Sequence, residues 1–85
     1  PGWTKIRQLV QALERGQLPL VILEMDQTGR IPEVMDALRQ TYVPIQPGEG
    51  YIFRTLNTRL GFFRPKLSGQ QTGTTRRWRE FFGAL

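Results

Sequence analysis

Neither cysteine nor histidine occurs in the 85-residue sequence. Without cysteine there is no disulfide framework, no thiolate nucleophile and no zinc site of the cysteine type. Without histidine the commonest general base and metal ligand is missing as well. Serine and cysteine triads, zinc hydrolases and zinc fingers are therefore excluded. Long hydrophobic runs are absent too: the longest is Leu20 to Leu23, with Leu18 close by, against the roughly 20 residues that span a bilayer. No basic start followed by a long apolar stretch marks a secretory signal. A cytoplasmic protein with no membrane partner is the default expectation. The chain begins at Pro1 and not at Met, which reads as a processed, trimmed or excised segment of a longer polypeptide.

Acidic residues are scarce in one part of the chain only. Residues 1–50 hold five cations and six carboxylates, a net charge of −1, whereas residues 51–85 hold seven cations and Glu80 alone, a net charge of +6. Ten of the twelve cations are arginine, whose planar fork pairs bidentately with phosphate or carboxylate and so favours recognition of an anion. The same basic segment carries seven of the nine aromatics. A chain this short buries roughly 60–65% of its unfolded surface and forms one core. The expectation is a single domain over residues 1–85.

Periodicity supplies the elements. Trp3, Ile6, Leu9, Val10 and Leu13 lie on one helical face, with Thr4 as N-cap and Arg15-Gly16 as a fitting last turn and stop, so a helix is predicted over 4–15. Leu18 to Glu24 is short, apolar and rich in branched residues, and reads as a strand buried on both faces in the middle of a sheet. Asp26-Gln27-Thr28-Gly29 is turn chemistry, and Pro32 opens a second helix over 32–41 whose apolar spacing includes Tyr42. Two prolines and two glycines make Val43 to Gly50 a loop with one short extended piece. Tyr51 to Leu56 and Arg59 to Arg64 form a hairpin about Asn57-Thr58. In that register Tyr51, Phe53, Thr55, Leu60 and Phe62 share the face expected to meet the core, opposite Ile52, Arg54, Leu56, Arg59 and Phe63. Pro65 to Thr75 is polar and small and reads as a mobile loop. Arg76 to Leu85 carries Trp78, Phe81, Phe82 and Leu85 at helical spacing, a stripe expected to dock on the domain's own sheet, with Thr74 or Thr75 as N-cap. The fold class is thus α+β, in the order helix, strand, helix, β-hairpin, helix, with the helices packed on a small sheet.

Two constellations carry the functional expectation. Arg54, Arg59, Arg64 and Lys66 interleave with aromatics in the hairpin, where arginine suits phosphates and Tyr51 and Phe63 are candidates for stacking on bases. Arg76, Arg77 and Arg79 crowd the expected start of the last helix, where cations oppose the macrodipole unless an anion joins them at the free N–H groups. The bland alternative pairs Arg76 and Arg77 with Glu24, Asp26 or another carboxylate of the chain. Other chemistries fare worse. Gly69 to Thr75 has three residues between its glycines and no following lysine, which fails the phosphate-loop pattern. Glu24 and Asp26 at i and i+2 lack the lysine and third acid usual in metal-dependent nucleases, so neither a metal nor a cofactor is expected.

The leading expectation is a small non-catalytic module that binds DNA or RNA through phosphate neutralisation by Arg54, Arg59, Arg64, Lys66, Arg76, Arg77 and Arg79. The competing one is a protein-interaction domain or assembly subunit whose basic face meets an acidic partner. A third is a metal-free ribonuclease using Tyr51, Arg54 and Arg64.

Overall fold

The computed structural model describes residues 2–45, 52–54, 58–67 and 72–84, and their side chains except at 52–54 and 72–75. Seven regular elements follow in order: α1 (Gly2–Arg15), β1 (Val21–Glu24), α2 (Pro32–Thr41), β2 (Tyr42–Pro44), β3 (Ile52–Arg54), β4 (Arg59–Pro65) and α3 (Thr72–Ala84), with a 3₁₀ turn at Thr28–Arg30. This is an α+β domain with an antiparallel sheet, as the periodicity predicts.

The local causes of the first two helices are legible in their ends. α1 stops at Gly16, whose φ of 66° lies in the left-handed region, and its N–H donates to the Leu13 carbonyl at 3.1 Å. A side chain at Gly16 would also run into that of Thr41. α2 opens with Pro32 and has Glu33 in its first turn, both suited to a helix N-terminus. It buries Val34, Met35, Ala37 and Leu38, while α1 buries Leu13 and packs Ile6, Leu9 and Val10 against the same core.

β4 is the central strand. β1 pairs with its residues 60–63, β2 with 63–65 and β3 with 59–61, all antiparallel. A strand has two edges, so the overlaps at 60–61 and at 63 place β2 and β3 end to end on the edge opposite β1. β1 and β2 run parallel to each other on either side of β4, joined through α2. This is a split βαβ unit into which β4 is inserted.

Three expectations are corrected here. The apolar run at 18–24 is not a central strand: only Val21–Glu24 is strand, it lies at an edge, and Ile22 is 52% exposed while Val21 and Leu23 are buried. The hairpin register differs from the expected one: Arg54 faces Arg59 and Ile52 faces Gly61, two residues away from the expected Leu56–Arg59 pairing, while the expected turn residue Asn57 lies outside the described residues. The core face of β4 is also the opposite one, with Gly61 and Phe63 buried and Leu60 and Phe62 only partly so. Arg54 and Arg59 made that face read as the less apolar of the two.

The physical reason for the reversal is α3. Trp78 stacks on Phe63 with ring centroids 5.4 Å apart and planes 16° apart, and Phe81 meets Phe63 edge-on at 5.1 Å. Phe63 and Phe81 are wholly buried and Trp78 nearly so. The Trp78 indole N–H donates to the Tyr42 carbonyl at 3.0 Å, which ties α3 to β2. Tyr42 starts β2 directly after α2; its hydroxyl accepts from the Leu18 N–H at 3.1 Å and donates to the Leu18 carbonyl at 2.9 Å. α3 begins at Thr72 and not at Arg76, and Lys66 N–H bonds the Thr41 carbonyl at 2.8 Å, so the expected loop over 65–75 is shortened from both ends. Its residues 68–71 lie outside the described residues.

Gly61 gives a direct test of this packing. A Cβ at that position would lie 2.7 Å from Cζ of Phe63 and 3.0 Å from Cζ of Phe81. Alanine ordinarily suits a strand better than glycine, so an uncrowded site would gain from the change. We expect Gly61→Ala to destabilise by about 1–3 kcal/mol, the usual cost of overpacking, read from the urea midpoint. A midpoint equal to or above that of the parent chain would contradict the ring arrangement.

Candidate nucleic-acid interface

The direction of α3 decides how the seven expected cations are grouped. Trp78 lies on Phe63, and Phe81, one turn further along the helix, closes on Gly61, two residues earlier in β4. α3 therefore runs antiparallel to β4. Its N-terminal half, with Arg76 and Arg77, lies toward the end of β4 that carries Arg64 and Lys66. Arg54 and Arg59 face each other at the opposite end of that strand.

Arg59 is held by the protein itself. Its Nε and Nη2 donate to Oδ1 of Asp26 at 2.9 and 2.5 Å, and its backbone N–H donates to Oδ2 at 3.2 Å. Beside this pair the Met25 N–H donates to the Arg59 carbonyl at 2.9 Å. The pairing of an arginine with Asp26 that the sequence suggested is present, with Arg59 in the place expected for Arg76 or Arg77. Glu24 is engaged as well, its carboxylate accepting the backbone N–H groups of Asp26, Gln27 and Thr28 at 2.5–3.0 Å. That arrangement closes the turn after β1 as a concave run of N–H groups around an anion. Both acids weighed as metal ligands thus have protein donors, and among the described residues no group of three or more acids is placed to hold a metal ion.

The remaining cations are on and near α3. Arg76 is its fifth residue, one turn inside the helix and not at its N-terminus. The macrodipole effect fades within the first turn, so, contrary to expectation, these arginines do not sit against the dipole and do not converge on the free N–H groups of the helix start. Nε of Arg76 lies 3.7 Å from Glu80 across one turn of exposed helix. Arg79 is exposed and Arg77 half-buried, and at 100° per residue the two stand on opposite flanks of the buried Trp78 and Phe81 stripe. Arg64 Nη1 donates to the Pro65 carbonyl at 3.2 Å. Lys66 is half-buried just beyond β4. The Arg54 side chain and Tyr51 lie outside the described residues.

The two aromatic candidates fare differently from the cations. Phe63 is enclosed by Trp78 and Phe81, so no base can reach it and its assignment as a stacking residue is corrected. The aromatic of α3 that does reach the surface is Phe82, 43% exposed, with the Arg39 guanidinium 5.6 Å from its ring centroid. Sequence reading missed this pair for two reasons. Phe82 falls at helical spacing with core residues, and Arg39 belongs to the half of the chain whose charges nearly cancel.

Comparison with family models, with curated proteins and with solved structures finds no match to this chain. Among the described residues no helix is long and apolar enough to cross a membrane. Two shallow clefts beside the start of α1, lined by Trp3, Ile6, Val10 and Ile31 with Arg7 and Glu33 at the rim, contain none of the seven cations.

The Asp26–Arg59 pair carries a pH signature. The Arg59 side-chain hydrogen bonds, joined by its backbone N–H, hold the Asp26 carboxyl below the ordinary value of 3.8. A carboxyl depressed in the fold contributes stability that is fully present above its unfolded pKa and disappears as pH falls through the lower, folded value. Asp26→Asn is therefore expected to lower the denaturation midpoint at pH 7, with the gap to the parent chain narrowing below about pH 4. A gap of equal size at pH 7 and pH 3 would show that the charge on Asp26 is not what matters.

Proposed function

We propose that this chain is a small, basic, non-catalytic nucleic-acid-binding module. The observation that supports the reading is the direction of α3, set by Trp78 on Phe63 and Phe81 on Gly61, which leaves Arg76 and Arg77 at the same end of the sheet as Arg64 and Lys66, with Arg64 on the face of β4 away from α3. Residues 51–85 contain one carboxylate against seven cations, and such a surface attracts phosphates with little dependence on sequence. Arg59 serves the fold through Asp26 and contributes less to ligand binding than the other six. Arg79, on the opposite flank of α3 from Arg77, extends the charged surface instead of sharing a phosphate with it. The arginines thus spread along a strand of phosphates and do not converge on one anion.

A second reading, a protein-interaction domain, has its own observation. Leu18, Leu20 and Ile22 are all exposed at alternate positions leading into and along the edge strand β1, and exposed apolar edges suit strand addition by another chain.

One titration separates the two. The double variant Arg76→Glu plus Arg77→Glu is expected to keep the parent's circular dichroism and urea midpoint while losing at least roughly tenfold in affinity for labelled DNA and RNA oligonucleotides at low salt. Unchanged affinity in the folded variant would overturn the basic-surface reading. Sedimentation of the parent chain in parallel reports self-association, and a chain that self-associates and ignores nucleic acid supports the protein-interaction reading.

A further inference from the structure

We infer that Phe82 and Arg39 form a stacking platform for an unpaired base, so that the ligand is a single strand; this rests on the nucleic-acid reading above. The aromatic groups of the core continue outward as a ladder. Phe63 and Trp78 are stacked and buried; Trp78 and Phe82 follow with centroids 5.8 Å apart and planes 33° apart; and the Arg39 guanidinium closes the series 5.6 Å from the Phe82 centroid. The ladder thus runs from the buried Phe63 to an exposed cation in three steps, and its last two members come from different helices, α3 and α2.

Burial does not account for Phe82. A phenylalanine left 43% exposed forgoes much of the area it could remove from water, and its neighbour Phe81 already fills the space above Phe63 and Gly61. What the exposed pair offers is a planar surface with a cation on it. Nucleic-acid bases stack on aromatic faces and on arginine guanidinium planes whatever their identity, because each has a π-face. The base becomes the next member of the ladder, on the outer face of Arg39. Arg79 lies one turn before Phe82 on the same side of α3 and supplies a phosphate contact next to the base. In a duplex each base is already stacked above and below and shows only its edges in the grooves, so this platform selects a strand whose bases are free.

The test uses the whole chain with Trp3→Phe, which leaves Trp78 as the sole tryptophan and a reporter at the centre of the ladder. The parent is expected to bind a labelled oligothymidylate more tightly than the same length of duplex at equal salt, with a change in Trp78 fluorescence only for the single strand. Phe82→Leu, which keeps an apolar side chain in place, is expected to lose roughly tenfold or more in single-strand affinity with duplex affinity unchanged. Arg39→Ala should repeat this at an exposed position, and Arg39→Lys should fail to restore it, since an ammonium is not planar. Phe82→Tyr should restore it. If Phe82→Leu does not fold, the Arg39 variants decide. Single-strand affinity that survives both Phe82→Leu and Arg39→Ala, while the Arg76 and Arg77 double variant loses it, overturns the platform and leaves the basic surface standing. Absence of any nucleic-acid binding by the parent removes both.

Discussion

The docking of Trp78 is the constraint on which the remaining structure depends. Its ring stacks on Phe63 of the central strand, its N–H is accepted by the Tyr42 carbonyl of the adjacent edge strand, and its outer side supports Phe82. Removal of a buried aromatic typically costs about 3–5 kcal/mol, a large share of the roughly 5–15 kcal/mol that holds a small domain together. The same contacts fix the direction of α3, and that direction decides which end of the sheet receives Arg76 and Arg77. Tyr42 passes the constraint on, since its hydroxyl is pinned at Leu18 in the segment between α1 and β1.

A second set of contacts explains why the acidic half of the chain has two carboxylates side by side. Glu24 closes its own turn through three backbone N–H groups, and Asp26 holds the start of β4 through the Arg59 side chain and backbone. Neither acid competes with phosphate for the cations on α3. The turn after β1 and the beginning of β4 thus form one electrostatically closed corner, far along the sheet from Arg64 and Lys66. Charge that the sequence counts as part of a uniform basic segment is in fact divided: Arg59 is structural, while Arg76 and Arg79 are exposed on α3.

What was legible in the sequence follows from the range of each interaction. α1 and α2 were read nearly to their ends because apolar spacing, Pro32 and Gly16 are local signals. The role of β1 was misread, since whether a short apolar run is central or at an edge depends on where β4 inserts, and no local pattern encodes that. The core side of the hairpin was reversed for the same reason: Gly61 looks like a weak strand residue until the rings of Phe63 and Phe81 are seen to need its missing side chain. α3 starts a turn earlier than its apolar stripe, because threonines at 72, 74 and 75 carry no helical periodicity of their own. At the candidate site the charge partition was legible in the sequence, but pairing with Asp26, burial of Phe63 and exposure of Phe82 beside Arg39 are long-range facts.

The aromatic ladder of the sheet and α3 both holds the fold and emerges at its surface beside Arg39. In the proposed function, phosphate neutralisation would supply affinity and the exposed end of the ladder a preference for a form of nucleic acid. The salt dependence of binding to a single strand tests the electrostatic part most directly. With Arg54, Arg64, Lys66, Arg76, Arg77 and Arg79 each meeting a phosphate, the slope of log affinity against log salt is expected to be about −4.2, at about −0.7 per contact for single strands. A slope near zero would mean that the basic surface does not meet phosphates, and would contradict the account.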